Sequence, residues 1–110
     1  MDRKNEVRVS HGKPHTVYVG ASKEILKETG SVELHGLGEA NSNVVRAAEM
    51  LCSLGYAVLD KFETFSVSEP DRNQILRVRN KVVIKLVRGP NFEKAYNDFK
   101  SSKETKKPDS

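Results

Sequence analysis

One stretch in the second half of the chain carries a strong excess of positive charge. Between residues 72 and 88 there are six basic side chains and no acidic one, in a protein whose formal net charge is only +4. The six are Arg72, Arg77, Arg79, Lys81, Lys85 and Arg88. Basic side chains that cluster in this way attract polyanions such as a nucleic-acid backbone. The chemistry that these residues indicate is phosphate binding.

The spacing inside this stretch predicts a β-strand. Apolar residues fall on even positions and basic residues on odd positions over most of its length. The apolar set is Leu76, Val78, Val82, Ile84 and Leu86, and the exceptions to the pattern are Asn80 and Val83. Successive strand side chains point to opposite faces, so the apolar set is predicted to pack on a core while the basic set projects as a row. The alternative is a solvated strand face whose charges only protect a sheet edge from aggregation.

The segment Gly36-Leu37-Gly38 precedes a predicted helix and offers a second place for phosphate. Amides at a helix N-terminus can receive an anion where the helix dipole is positive, although Glu39 opposes this. A dinucleotide-binding fingerprint is rejected, because Asn41 occupies the place of the third glycine and the chain is too short for that fold. A structural role, in which the glycines only let a strand turn into a helix, fits the sequence equally well.

The sequence offers little for catalysis or metal binding. Its three histidines lack the paired spacing and the carboxylate or cysteine neighbours of a metal site. His35 and Glu39 form the one conceivable acid–base pair, and the carboxylates form no cluster typical of a magnesium-dependent nuclease. We expect a non-catalytic protein with no cofactor and no metal.

Length and composition indicate one domain. A chain of 110 residues is large enough to bury a core without disulfides or metal. No segment approaches the ~20 consecutive apolar residues of a membrane helix, and the charged N-terminus does not resemble a signal peptide. We expect a soluble, intracellular protein. The single cysteine, Cys52, is predicted to be a buried and unreactive thiol in a reducing compartment.

The net charge overstates how basic the folded part is. Residues 100–110 carry four lysines, one glutamate and one aspartate, and the rest of the chain holds fifteen basic and thirteen acidic residues. This terminal segment has no apolar residue, so the sequence predicts a disordered basic tail over 100–110 and a domain over 6–99. Nucleic-acid binding must therefore depend on where the charges lie.

Periodicity and turn residues predict the element order β-α-β-α-β-β, an α/β class in two layers. The first strand is expected over 6–10, the first helix over 15–28 with Gly30 as its stop, and the second strand around 32–34. The second helix is expected to begin with Asn41 or Ser42 as its cap and to end at Gly55. Strands over 57–67 and 75–87 form a long terminal hairpin with a turn-rich tip at 69–73.

Two features of the predicted helices concern packing. The apolar surface of the second helix, spread over 44–54, is wide enough to indicate burial on more than one side, by the chain itself or by a partner subunit. Gly20 inside the first helix costs about 1 kcal/mol relative to alanine, which suggests a close packing contact there.

An ordered set of short segments resembles the Alba family in its eukaryotic form. The segments are Val7-Arg8-Val9-Ser10, Lys13-Pro14, Tyr18-Val19, Val32-Glu33-Leu34, Leu37-Gly38-Glu39-Ala40 and Gly55-Tyr56-Ala57-Val58. The resemblance covers about residues 6–99. It implies a dimeric α/β domain, similar to the C-terminal domain of a bacterial translation initiation factor, that binds DNA or RNA.

The resemblance also implies where binding occurs. It places the basic loop of the family at Gly12-Lys13-Pro14, where archaeal members often carry a second lysine and an acetylation target; whether Lys13 is acetylated is left open. The loop that is commonly Arg-Gly-Arg-Ala in the family reads Leu37-Gly38-Glu39-Ala40 here. Because two arginines are replaced, we expect Lys13 and the hairpin to carry most of the contact.

These observations predict a non-catalytic nucleic-acid-binding protein with a role in chromatin or ribonucleoprotein organisation. The predicted contact residues are Lys13, Gly38, Asn41, Arg46, Arg72, Arg77, Arg79 and Lys81. Its partners are DNA or RNA, and either a second copy of the chain or another Alba-like chain. Phe62 and Phe65 are predicted to pack in the core or in a dimer contact rather than to stack on bases. The alternative function is an assembly subunit of a ribonuclease P-like ribonucleoprotein, which would heterodimerise and bind poorly alone.

Overall fold

A mixed sheet and three helices make up the chain in the computed structural model, which describes residues 5–105 and their side chains through residue 98. The elements are β1 (Glu6–Arg8), α1 (His15–Thr29), β2 (Ser31–Leu37), a 3₁₀ turn (Gly38–Ala40), α2 (Asn41–Ser53), β3 (Ala57–Pro70), β4 (Leu76–Arg88) and α3 (Phe92–Thr105). The two-layer α+β class is confirmed, and so is the predicted order β-α-β-α-β-β as far as β4. Within residues 5–105 no helix has the length and apolar character needed to cross a membrane.

The sheet has the strand order β1-β2-β4-β3. β1 runs parallel to β2, whereas β2 and β3 both run antiparallel to β4. β2 pairs with β4 only between Lys81 and Val87, while β3 pairs with β4 along its whole length. The hairpin therefore continues beyond β2 as two strands. We call residues 66–80 the arm and the rest of the chain the body.

The core lies between one face of the sheet and the two helices α1 and α2. Its buried residues are Tyr18, Val19 and Leu26 from α1, Val44, Ala47 and Leu51 from α2, Val32 and Leu34 from β2, and Val82, Ile84 and Leu86 from β4. The even positions of β4 in the body thus pack as the alternation predicts. The opposite face of the sheet has no helix over it within the described residues, and we call it the open face.

The arm departs from the predicted packing. Leu76 and Val78 are 69% and 68% exposed, although they continue the same alternation as the buried Val82. The prediction that they pack on a core is wrong, because the helices and β2 do not extend beside this part of the hairpin. Alternation sets the face on which a side chain lies and does not supply a layer to cover it.

Helix α3 is absent from the predicted element order. Phe92 is 4% exposed and packs edge-on against the ring of Tyr56, with the centroids 6.0 Å apart. The Tyr96 hydroxyl donates to Glu24 Oε2 of α1 at 2.9 Å. The spacing of Phe92, Ala95 and Tyr96 is helical and is the signal available in the sequence. Residues 100–105, predicted to belong to a disordered tail, continue α3 because it starts from this anchored turn; residues 106–110 lie outside the described part.

The C-terminal end of α1 agrees with the sequence prediction, and the packing of its interior does not. Gly30 has φ of 88° and its amide donates to the Leu26 carbonyl oxygen, which ends the helix as predicted. A Cβ on Gly20 would meet no atom within 4 Å, so the predicted close contact there is wrong. Cys52 is half-buried, and burial raises the pKa of its thiol.

Candidate nucleic-acid interface

The loop before α1, residues 10–14 and here called the basic loop, is held against the first turn of α2. Asn43 Nδ2 donates to the carbonyl oxygens of Ser10 at 3.0 Å and of Lys13 at 2.9 Å. The Ser10 amide donates to the Tyr18 hydroxyl oxygen at 2.9 Å, which ties the loop to α1 as well. The Lys13 side chain is exposed. The loop backbone is therefore fixed while its ammonium group is free to meet a ligand.

The two glycines of the β2–α2 turn have different roles. Gly38 has φ of +61°, a region that favours glycine, and it begins the 3₁₀ turn. Gly36 is buried, and a methyl group on it would overlap Cγ2 of Val44. Gly36 therefore lets α2 pack closely on β2, and Gly38 is the position near which a ligand can approach.

Neither Asn41 nor Ser42 caps α2, so that prediction is wrong. The residue before the helix is Ala40, which already has helical φ and ψ values of −74° and −13°, and no side chain of the described residues caps the helix. Because the 3₁₀ turn brings the chain into helical conformation, the Asn41 side chain is used elsewhere. Its Nδ2 donates to the Asn80 carbonyl oxygen at 2.9 Å, which tethers the arm to the turn.

Three segments meet at the root of the arm. The Cδ atom of Arg79 lies 3.8 Å from the place that a Cβ would take on Gly38. His11 Nε2 of the basic loop lies 3.6 Å from Glu39 Oε1 of the turn. The basic loop, the turn at 38–41 and Arg79 through Lys81 of β4 thus lie side by side, and we call this arrangement the convergent site.

Half of the basic residues between 72 and 88 are occupied within the protein. Arg77 Nε donates to Asp71 Oδ2 at 2.9 Å, Lys85 Nζ lies 3.9 Å from Asp60 Oδ2, and Arg88 donates to the carbonyl oxygens of Leu26 and Lys27, both at 2.9 Å. The other three, Arg72, Arg79 and Lys81, have no carboxylate partner among the residues that the structure describes. The charge available to a polyanion is therefore smaller than the sequence suggests, and two of the three free residues lie at the convergent site.

The structure brings together most of the predicted contact residues. Lys13, Gly38, Asn41, Arg79 and Lys81 belong to the convergent site. Arg46, by contrast, is exposed on α2 in a shallow depression that it shares with His15 and Glu49. Arg72 lies at the tip of the arm, and Arg77 next to that tip is paired with Asp71.

The tip of the arm is organised by one carboxylate. Asp71 Oδ1 accepts hydrogen bonds from the amides of Ile75 at 3.0 Å and Asn73 at 2.8 Å. The Ile75 amide and the Arg77 guanidinium, in that order of effect, hold the pKa of Asp71 below its usual range. An ionised Asp71 therefore fixes the turn and restrains the Arg77 side chain.

The conceivable acid–base pair of His35 and Glu39 does not form. His35 lies on the open face, with Nε2 3.0 Å from Glu33 Oε1 and Nδ1 3.5 Å from Glu6 Oε2. Glu39 is instead near His11. In the part of the chain that the structure describes, no group of three or more His, Cys, Asp or Glu side chains could hold a metal ion.

Sequence reasoning misses three residues that shape this region, namely Asn43, Asn80 and Phe65. Asn43 and Asn80 act through long-range hydrogen bonds, and nothing in their local sequence signals that. Phe62 and Phe65 are predicted to be packed, yet within this chain they are 52% and 47% exposed. The signal for their placement is the alternation of β3, but its irregular step between Leu59 and Lys61 hides the face to which each belongs.

Comparison with known proteins gives a consistent result. A family profile matches residues 5–69 to Alba. The structure resembles ALBA1 from Trypanosoma brucei, with a TM-score of 0.79 and 22% identity over 94% of this chain and 86% of that one. It also resembles Alba from Thermoplasma volcanium, with a TM-score of 0.68 and 18% identity over 76% of this chain and 100% of that one. A search of curated proteins found no match.

The two structural comparisons establish the fold, and the profile match establishes the family because it spans more than half of the chain. Alba proteins are in general non-catalytic, bind nucleic acids and commonly form dimers. The predicted resemblance is confirmed: the chain belongs to the Alba family.

Proposed function

We propose that this protein binds the phosphate backbone of DNA or RNA, without catalysis, through the convergent site and the arm. The observation that carries the proposal is that Lys13, Arg79 and Lys81 lie on adjoining segments from distant parts of the chain and have no carboxylate partner among the described residues. Unpaired cations held on a fixed backbone favour a polyanionic ligand, because each phosphate that they neutralise releases condensed counterions.

The arm suits an extended ligand. The molecule measures 54 Å along its longest axis against 32 and 25 Å along the others, and two strands beyond the body can lie along a groove. Arginine is suited to phosphate since its planar guanidinium donates paired hydrogen bonds. Glu39 opposes an anion at the start of α2, but His11 lies 3.6 Å away and offsets its charge when protonated.

We further propose that the protein acts as a homodimer in chromatin or ribonucleoprotein organisation, in the nucleus or the cytoplasm. The support is apolar surface left on α2, at the residue that follows it and at the start of β3, where Val45 is 47%, Leu54 51% and Leu59 58% exposed. A second copy that covered this surface would account for the wide apolar stripe of α2. In such a dimer, binding of one arm to the nucleic acid would raise the effective concentration of the other arm at the same ligand.

The test is fluorescence anisotropy of labelled duplex DNA, single-stranded DNA and RNA titrated with the protein at several salt concentrations. The double change Arg79→Ala with Lys81→Ala is expected to lower affinity about tenfold or more. It should also reduce the slope of log Kobs against log salt by about 0.9 for each duplex phosphate that the variant no longer neutralises.

A matched control removes the same charge elsewhere. Lys27→Ala with Lys94→Ala takes two positive charges from the α1 end and from α3, away from the arm, and should change affinity far less. Equal decreases in affinity for the two double variants would show that net charge alone governs binding. Binding that appears only with a foreign Alba-like partner would replace the homodimer proposal with the assembly-subunit function.

A further inference from the structure

Phe65 lies where the open face ends and the arm begins. It pairs directly with Lys81 of β4, and Lys81 pairs on its other side with Leu37 of β2. Residues opposite each other in a sheet project from the same face, so the three side chains form a row across the open face. Phe65 is 47% exposed, which leaves much of its ring available to a ligand.

The basic residues on the two sides of this row differ in whether they have a carboxylate partner. On the arm side, Arg79 has no carboxylate partner within the described residues, and neither does Lys81 in the row itself. On the body side, the shallow depression that Phe65 borders carries both signs of charge, with Glu33 and Glu63 beside Lys61 and Lys85. There Lys61 is paired with Glu63, and Lys85 lies near Asp60. Phosphate is therefore favoured beside Arg79 and Lys81 over the depression, whose other two lysines have carboxylate partners, and an uncharged group can lie against the ring between them.

We infer that Phe65, with Lys81 and Arg79, forms a stacking site for one unpaired base of a single-stranded nucleic acid. The inference rests on the proposed nucleic-acid binding and adds to it the class of ligand. A base stacks on an aromatic face whatever its sequence, while the neighbouring cations hold the phosphates that flank it. Bases of an intact duplex are already stacked on one another, so a blunt duplex does not use the ring.

Phe62 provides a matched control in the same strand. It is 52% exposed, close to the value for Phe65, but it pairs with Ile84, whose side chain is 3% exposed and faces the helices. Phe62 therefore lies on the opposite face of the sheet from Lys81. Its ring has the same chemistry and similar exposure without the adjacent free cations.

The first experiment compares Phe65→Leu with Phe62→Leu by anisotropy, using a labelled single-stranded RNA, a single-stranded DNA of the same sequence and a blunt DNA duplex. Phe65→Leu is expected to weaken binding of both single strands by roughly 5- to 100-fold. Its affinity for the duplex should change by less than about twofold, and Phe62→Leu should leave all three affinities within that range. Circular dichroism and urea titration check that both variants fold.

The second experiment observes the stack itself. The chain contains no tryptophan, so Phe65→Trp introduces a single indole that keeps the aromatic surface. Its fluorescence should be quenched by the single strands and unaffected by the duplex, with affinity retained. An indole at position 62, made by Phe62→Trp, should not be quenched by either ligand.

The results that would refute base stacking differ from those that would refute phosphate binding. If the Arg79 and Lys81 variant loses binding but a folded Phe65→Leu binds single strands like the wild type, the stacking site is refuted and phosphate binding stands. An equal decrease in affinity for duplex and single strands in Phe65→Leu also refutes it. If the wild-type protein, assayed under the same conditions, binds none of the three ligands, both proposals fall.

Discussion

The two halves of β4 share one sequence pattern and differ in everything that surrounds them. In the body, Val82, Ile84 and Leu86 are 7%, 3% and 0% exposed, whereas Leu76 and Val78 in the arm are more than two-thirds exposed. β2 stops pairing at Lys81, and beyond that residue no third strand joins the hairpin within residues 5–105. The comparison shows that alternation specifies a strand and its two faces, while burial depends on which other elements reach that strand.

The basic residues of β4 also differ between the body and the root of the arm. In the body, Arg88 closes the end of α1 by donating to two of its carbonyl oxygens, and Lys85 is near Asp60. At the root of the arm, Arg79 and Lys81 have no such partner in the described chain. Residues of one type in one strand therefore serve stability in the body and are available for a ligand where the body ends.

The largest expected effect comes from truncating a leucine to alanine in each half of β4. Leu86→Ala should lower the free energy of unfolding by about 2–5 kcal/mol, because it leaves a cavity at a fully buried position. Leu76→Ala, at an exposed position, should change it by no more than about 0.5 kcal/mol. Urea denaturation followed by circular dichroism measures both. A cost for Leu76→Ala near that of Leu86→Ala would mean that a second copy covers the arm.

Most of the fold follows from local signals. Apolar residues recur at helical spacing around Tyr18, Leu26 and Val44 and at every second position of β4 in the body. Both patterns arise because one face of each element packs on the core, and both can be read from neighbouring residues. Gly30 ends α1 as predicted, because this helix end requires a left-handed backbone conformation that glycine adopts easily. The element order is therefore accessible from sequence.

The candidate site is accessible only in part. The excess of basic residues is visible, but Arg77 and Asp71 are six residues apart and their ion pair depends on the shape of the tip. The Asn41 tether to Asn80 spans 39 positions, so the sequence suggests the commoner role of a helix cap. Which cations remain free is decided by such long-range contacts.

The second prediction contrasts two arginines of one strand. Arg88→Ala removes three hydrogen bonds to the C-terminal end of α1 and should lower the free energy of unfolding by about 1–2 kcal/mol, with little effect on nucleic-acid affinity. Arg79→Ala should do the reverse, with nearly unchanged stability and weaker binding. Urea denaturation and anisotropy on the same preparations decide the matter. If both variants lower the free energy of unfolding, or both lower the affinity, the proposal that Arg88 stabilises the fold while Arg79 binds the ligand is refuted.

The smallest effect is expected at the tip, where Asp71 keeps one arginine of the arm occupied. Asp71→Asn removes the carboxylate that accepts from Arg77 Nε at 2.9 Å, which frees the guanidinium for a phosphate. The slope of log Kobs against log salt should become steeper by about 0.9 for a duplex if Arg77 then neutralises one more phosphate. Asp98→Asn in α3 removes an equal charge from a pair with Lys94 and should leave the slope unchanged.

Acid should act on the same ion pair without mutation. Because the folded tip lowers the pKa of Asp71, its ionised form is the one that the native structure favours. The stabilising contribution is complete above the carboxyl pKa of the unfolded chain and is lost as the pH falls through the lower pKa of the folded tip. A carboxyl ¹³C titration by NMR should therefore place the Asp71 midpoint below that of an unfolded peptide of residues 69–77. Coincident midpoints would show that the tip does not hold Arg77, and the arm would then present that cation as freely as Arg79.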